Sequence, residues 1–244
     1  MNGVNAAEKT KRYVLVLDAN VEDRFYTCML LQRFGCSIFT AHTAEEAIGY
    51  MTVTTPSAVV ADAGSSGATL LSWITKDPRF PDVPFILLSS LPDADLEQRA
   101  RRGEFAAYLK KPLKVDEFYR VVQMFIEKGS RRNLRISTHL MVRLEDERGG
   151  REGFVTELSE FGMFFRTLEP LPINTIMPAV FEIKGRRVKL DAVVLYTTNF
   201  DDGPFKEAGM GMKFVKISRE DRNRIATLII EQLEEGIVRP RGQT

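Results

Sequence analysis

The sequence predicts two domains: an α/β domain with a doubly wound (βα)5 parallel sheet, then a small all-β barrel that ends in a helix. In the first half, five short apolar runs alternate with helix-like stretches, the pattern of a parallel sheet covered on both faces. After Gly129 the pattern changes to brief β-rich runs separated by glycine and proline turns. A length of 244 residues also favours two domains of modest size over one.

The composition argues against several classes of protein. The formal charge of +1 combines 34 basic and 33 acidic residues, so no field of one sign attracts nucleic acid or an anionic membrane. Cys28 and Cys36 fit no CxxC spacing, and with His42 and His139 as the only histidines a zinc site lacks ligands. The polar N-terminus lacks the apolar segment of a signal peptide, and no apolar run approaches the roughly 18 residues of a membrane span. We therefore expect a soluble cytoplasmic protein without a membrane span.

The five apolar runs of the first domain end at polar residues. In chain order they are YVLVL before Asp18, CSIFTA after Gly35, SAVVA before Asp62, VPFILL before Ser89 and AAYL before Lys110. Runs that are apolar throughout are typical of strands buried on both faces. We predict five parallel strands.

Helix signals lie between these runs. VEDRFYTCMLLQRF has helical spacing, and Thr43 with Glu46 predicts a capping box for AEEAIGYM. LPDADLEQRARRG predicts a helix capped near Asp93 and ended by Gly103, and KVDEFYRVVQMFIEKG predicts an amphipathic helix ended by Gly129.

Ligands of such sheets bind at the carboxyl ends of the strands. The residues there are Asp18, Asp62, Ser89 and Lys111. Two carboxylates, a hydroxyl and an ammonium suit transient phosphorylation of a carboxylate: one acid attacks, another holds magnesium, and the other two groups meet the phosphoryl oxygens. The alternative is that Asp18 simply caps a helix, that Ser89 ends a strand and that Lys111 is a solvated charge.

The motifs VLVLDAN, PSAVVAD, FILLSS and YLKKP resemble the receiver domain of two-component response regulators over residues 12–128. The resemblance implies that Asp62 is the phosphoacceptor, with a histidine kinase as partner. It also implies roles for Ser89 as the switch hydroxyl, Tyr108 as the switch aromatic and Lys111, before Pro112, as the site lysine.

Two departures from the family pattern predict the same fold but weaker magnesium binding and phosphorylation. Receivers usually carry two adjacent acids after the first strand, but here Ala19 follows Asp18. Because an outer partner of a metal site is worth roughly 10- to 100-fold in affinity, losing a direct ligand should cost at least as much, leaving Asp18 and Asp62 as weak magnesium ligands. The loop AGSSGATLL after Asp62 is also shorter than the family's usual loop and lacks its Met-Pro. The alternative is a pseudo-receiver used for docking or for homodimerisation.

Six β-rich runs predict the barrel of the second domain. They are LMVRLE, GFVTEL, MFFRT, MPAVFEI, VKLDAVVLYTT and AGMGMKFVKI. A helix follows from its N-cap Ser218 to Gly236. Its apolar face, which we expect to cover the barrel or a partner, consists of Ile225, Leu228, Ile229 and Leu233. We place a flexible N-terminus at 1–11, the α/β domain at 12–128, a linker at 129–137, the barrel with its helix at 138–238 and a tail at 239–244.

Two polar clusters of the second half suit an anionic ligand. They are Arg131, Arg132 and Arg135 in the segment RRNLR, and Glu157, Ser159 and Gly162 in the segment ELSEFG. A guanidinium bridges phosphate oxygens and also stacks on a planar base, and a cyclic dinucleotide offers both.

These segments resemble the PilZ family signature, RxxxR followed by [D/N]xSxxG, and AGMGMKF resembles that family's closing strand. The resemblance implies that Arg131 and Arg135 clamp cyclic di-GMP, that Ser159 hydrogen-bonds it and that Gly162 permits the turn. Glu157 stands where the family has Asp or Asn, and its extra methylene predicts weakened affinity. The alternative is a solvated basic linker and ordinary turn residues.

The resulting expectation is a non-enzymatic effector that binds cyclic di-GMP and passes its output to an unidentified protein partner. By analogy with the family, the process would be motility, polysaccharide or biofilm control. The alternative is a nucleotide-independent scaffold in which both domains are degenerate. Ala19 and Glu157 favour this alternative, because each departs from the pattern of its family. DNA binding is disfavoured, because the second half is β-rich and has no recognition helix.

Overall fold

The computed structural model describes residues 13–80, 82–126, 134–145, 150–199, 207–237 and 240. These residues separate into two compact units, one within 1–132 together with 236–244 and the other within 133–235. The predicted fold class is confirmed in both units.

The first unit is a five-stranded parallel sheet in the order β2-β1-β3-β4-β5. The strands are β1 Tyr13–Leu17, β2 Ser37–Ala41, β3 Ala58–Asp62, β4 Phe85–Ser89 and β5 Ala107–Lys110. The helices are α1 Val21–Arg33, α2 Ala44–Val53, α3 Ser65–Ile74, α4 Ala94–Arg101 and α5 Val115–Ile126. This strand order is that of doubly wound receiver-type sheets, in which ligands bind beyond the carboxyl ends of the central strands.

Burial and capping explain why these segments form. All residues of β1 are buried, as is expected for an interior strand of a sheet covered on both faces. Asn20 caps α1, and the hydroxyl of Thr43 accepts a 3.3 Å hydrogen bond from the N–H of Glu46 at the start of α2. Asp93 caps α4 as predicted. The end predicted for α5, at Gly129, lies outside the described residues.

The chain's single tryptophan belongs to the first unit. Trp73 on α3 is partly buried against the core, and its ring lies 5.4 Å from that of Phe80.

The second unit is a closed antiparallel barrel in the order β10-β11-β8-β7-β6-β9. The strands are β6 Arg135–Leu144, β7 Arg151–Ser159, β8 Gly162–Arg166, β9 Ile176–Ile183, β10 Arg186–Thr198 and β11 Gly209–Ile217, and the helix is α6 Arg219–Glu234. β6 begins at Arg135, so part of the segment expected to be linker, 129–137, is barrel strand. The other domain boundaries stay predictions.

Helix α6 covers part of the barrel. Ser218 caps it, accepting a 3.0 Å hydrogen bond from the N–H of Asp221. Ile225, Ile229 and Leu233 are buried, Leu228 is half-buried, and the helix packs on β6, β7 and β9. No helix in the described parts of the chain is long and apolar enough to cross a membrane.

Candidate functional site

Three of the four residues predicted at the carboxyl ends of the sheet meet at one ammonium. Asp18 follows β1, Asp62 ends β3, and Lys111 follows β5. The Nζ of Lys111 lies 2.7 Å from Asp18 Oδ2 and 2.6 Å from Asp62 Oδ1. The parallel topology therefore assembles this cluster as the sequence predicts.

A third carboxylate, which the sequence analysis missed, completes the cluster. Asp23, in the first turn of α1, places its Oδ2 3.0 Å from Lys111 Nζ. An ammonium has three N–H donors, and each is directed to a different carboxylate. The signal in the sequence was a second aspartate shortly after Asp18, in the segment DANVED where the next helix begins.

Burial and pairing act against each other in this cluster. Burial raises the pKa of Asp18, and the hydrogen bond from Lys111 only partly offsets this. Burial lowers the pKa of Lys111, but its bonds to Asp18, Asp62 and Asp23 more than compensate, so the pKa stays above its ordinary value. Lys111 is therefore a fixed positive charge at neutral pH.

As arranged, these residues fit an ammonium better than magnesium. Mg²⁺ demands octahedral oxygen ligands, and the facing oxygens of the predicted ligands, Asp18 and Asp62, are already bound to Lys111. Asp62 Oδ2 accepts the N–H of Gly64 at 2.9 Å, and Asp18 Oδ1 accepts the N–H of Asn20 at 2.8 Å. Within the described ranges, no group of three His, Cys, Asp or Glu is arranged to hold a metal ion.

The two predicted switch residues turn to a different partner. Ser89 Oγ donates to the carbonyl of Leu91 at 3.0 Å and accepts from its N–H at 3.2 Å. The hydroxyl of Tyr108 donates to the same carbonyl at 2.8 Å. Both hydroxyls thus fix the segment after β4, and the structure does not bring them into the Lys111 cluster.

The short loop after Asp62 lies close to the cluster. Ala63 and Gly64 alone separate Asp62 from α3. A Cβ added at Gly67 would lie 1.9 Å from the Asp62 carbonyl oxygen, so the first turn of α3 rests on the backbone of Asp62.

Residues of the second predicted site line a cavity of about 220 Å³ on the barrel. Its lining includes four predicted residues: Arg135, Glu157, Ser159 and Gly162. Arg135 on β6 pairs with Ser159 on β7, and its guanidinium lies 3.3 Å from the Glu157 carboxylate. Antiparallel pairing of β6 with β7 therefore brings the two sequence motifs together. Arg131 and Arg132 lie outside the described residues.

The turn between β7 and β8 fixes one edge of the cavity. The buried Ser159 hydroxyl donates to the Gly162 carbonyl at 3.0 Å, and the two residues pair across the turn. A Cβ at Gly162 would lie 2.4 Å from the Met212 carbonyl oxygen. Glycine is thus needed here for the close approach of β11, whereas the sequence analysis assigned it to the conformation of the turn.

Other lining residues were missed by the motif. They are Phe161, Met163, Phe164, Leu195, Tyr196, Gly211, Met212 and Lys213. Tyr196 and Phe164 form an aromatic wall whose ring centroids are 6.4 Å apart. The available signal was the segment AGMGMKF, whose glycines leave room for neighbouring rings.

Comparison with known proteins gives limited likeness over the full chain. An uncharacterized 14.6 kDa protein of Leptolyngbya boryana is 27% identical over 115 residues, covering 46% of this chain and 88% of that protein. A putative response regulator from Chloroflexus aurantiacus is 21% identical, covers 48% of this chain and 98% of its own, and has a TM-score of 0.44. The inhibitor of motility of Bacillus subtilis is 16% identical, covers 44% and 53% of the two chains, and has a TM-score of 0.38.

The family model for the PilZ domain matches residues 130–231. This span contains all six barrel strands and most of α6. The barrel unit of this chain is therefore a PilZ domain.

Proposed function

We propose that the barrel pocket binds cyclic di-GMP and that the protein passes this signal to a protein partner. The observation that carries the proposal is the convergence of Arg135, Glu157, Ser159 and Gly162 on one open cavity of a PilZ domain. A basic side chain at the edge of an aromatic pocket suits a ligand that combines phosphates with planar bases.

Each pocket residue has a chemical role in this proposal. Arg135, 43% exposed in its side chain, bridges phosphate oxygens and is joined by Arg131 and Arg132 of the RRNLR segment. The carboxylate of Glu157, 3.3 Å from the guanidinium of Arg135, holds that side chain at the edge of the cavity until the ligand replaces it. Lys213 on β11 adds a second positive charge to the lining.

Isothermal titration with cyclic di-GMP tests the proposal. Wild type should bind saturably at micromolar concentration or below, and the double variant Arg131→Ala/Arg135→Ala should lose binding. Arg187→Ala is the matched control, because this exposed β10 arginine lies outside the pocket lining. Absence of binding by wild type would overturn the proposal. A large drop in thermal stability of the double variant would instead assign the arginines a structural role.

For the first unit we infer a docking role that does not depend on metal-assisted phosphorylation. The three bonds of Lys111 support this role, because they occupy carboxylate oxygens that would otherwise be open to a magnesium ion. Asp62 stays the candidate phosphoacceptor. A histidine kinase is a partner of this protein only if Asp62 is phosphorylated. NMR with beryllofluoride and magnesium separates the readings: unchanged Ser89 and Lys111 resonances support docking, and shifted resonances support an active receiver.

A further inference from the structure

A bulge in β10 turns two consecutive side chains outward. Val194 pairs with Met212 and Tyr196 with Gly211, so the register shifts between them and Leu195 has no partner on β11. Regular alternation would bury one of two adjacent side chains, yet Leu195 is 49% exposed and Tyr196 44% exposed. The bulge therefore presents Tyr196 at the surface of the barrel.

Glycines in β11 accept the rings of neighbouring strands. A Cβ at Gly211 would lie 2.2 Å from the Tyr196 ring, and one at Gly209 would lie 2.7 Å from the Phe164 ring. Each ring thus occupies the space of an absent side chain. Because backbone supports the Tyr196 ring on one side while much of its area stays exposed, the ring is held in place without being covered.

The same cavity contains this ring and the charged edge of the site. Tyr196, Phe164 and Leu195 line it together with Arg135 and Lys213. An exposed aromatic surface beside a guanidinium matches a ligand in which a planar base adjoins a phosphate.

We propose that Tyr196 is a specificity-determining residue that stacks on one base of the nucleotide bound in this pocket. The inference rests on the proposed binding of cyclic di-GMP and adds a contact outside the RxxxR and xSxxG motifs. Phe164, tilted 33° to Tyr196, extends the aromatic wall.

A purely structural role for Tyr196 predicts different behaviour. In a structural role, an aromatic ring over a strand glycine would restore the packing that the glycine lacks and would do nothing else. Such a ring would affect the stability of the barrel, whereas a stacking platform affects affinity for the nucleotide and is restored by any aromatic side chain of suitable size.

The test compares three variants by isothermal titration with cyclic di-GMP. Tyr196→Leu keeps an apolar side chain and should weaken binding roughly ten- to hundredfold, the usual effect of losing one base–aromatic stack. Tyr196→Phe should bind within about twofold of wild type, because stacking does not need the hydroxyl. Ile176→Ala is the control, since Ile176 is an exposed apolar residue outside the pocket lining.

A second measurement on wild type does not depend on how the variants fold. Stacking predicts nuclear Overhauser contacts between the base protons and the Tyr196 ring, with upfield shifts of the ring resonances. Unchanged affinity of Tyr196→Leu, lost affinity of Tyr196→Phe or absent ring contacts would each overturn the inference while the proposed function stands. Failure of wild type to bind cyclic di-GMP would overturn both.

Discussion

The carboxylate cluster of the sheet and the pocket of the barrel satisfy their charges in opposite ways. Lys111 directs all three of its donors to carboxylates of its own unit, and only 7% of its side chain is exposed. Arg135 pairs, among the residues that the structure describes, with one exposed carboxylate, that of Glu157, at the edge of an open cavity. A buried, fully paired charge resists exchange of partners, but an exposed pair gives up about 1 kcal/mol or less when a ligand replaces it. Of the two sites, the barrel pocket is therefore the one whose charges can change partners at low cost.

The largest effect is expected from removing the ammonium of Lys111 from the first site. Lys111→Met leaves three carboxylates facing one another without a cation, which should destabilise the first unit by roughly 3 kcal/mol. Magnesium should then stabilise the variant, because the freed oxygens become available as metal ligands. Scanning calorimetry with and without magnesium measures both effects. Lys110→Met, at the exposed neighbouring position, is the control, and equal magnesium stabilisation of wild type would contradict the comparison.

The second largest effect is expected from adding a methyl group at Gly162 in the second site. Gly162→Ala should destabilise the barrel by roughly 2 kcal/mol, since the new methyl group meets the Met212 carbonyl. Thermal unfolding measures the loss. Gly49→Ala is the contrasting control, because a Cβ at this helical position meets nothing within 4 Å and should not destabilise. Similar stability of both variants would mean that β8 and β11 can move apart freely.

Removing one carboxylate sharpens the description of the first site. Asp23→Asn should cost about 1 kcal/mol, because the amide oxygen still accepts from Lys111 but no longer carries a negative charge, while two carboxylates still hold the ammonium. Chemical denaturation measures the change against Glu22→Gln, an exposed neighbour in the same helical turn. If the two variants are equally stable, Asp23 contributes nothing to the cluster.

The smallest effect concerns the exposed pair of the pocket. Glu157→Gln frees Arg135 and removes a negative charge that faces an anionic ligand, so affinity for cyclic di-GMP should rise roughly two- to fivefold. Titrations at low and high salt should show the gain shrinking as salt rises. Glu152→Gln, outside the pocket lining, should not change affinity. Weaker binding of Glu157→Gln would mean that the carboxylate contacts the ligand directly.

Features encoded locally could be predicted from the sequence. A few adjacent residues determine each of the five strands and the helix caps at Thr43, Asp93 and Ser218. Short apolar runs mark β1 to β5, whereas the helices show apolar residues at helical spacing. The topology of a parallel sheet then brings Asp18 and Asp62 to Lys111 whatever the details of the loops.

Features that depend on register or on the packing of distant segments could not be predicted. Asp23 reaches Lys111 from the first turn of α1, where an acid beside Glu22 is equally explained by a favourable interaction with the helix N-terminus. Tyr196 is exposed because of a bulge whose position depends on β11. The need for glycine at position 162 comes from a strand about 50 residues later in the chain, which no local pattern reports.

The position of Trp73 makes the two units optically separable. Tyrosine contributes little when the indole is excited selectively, so the emission of this single tryptophan reports on the core of the first unit while the nucleotide would bind in the second. A change in Trp73 emission on adding cyclic di-GMP would therefore measure communication between the units directly. An unchanged spectrum under saturating ligand would mean that the receiver fold does not sense occupancy of the barrel, and that the output leaves through the PilZ domain itself.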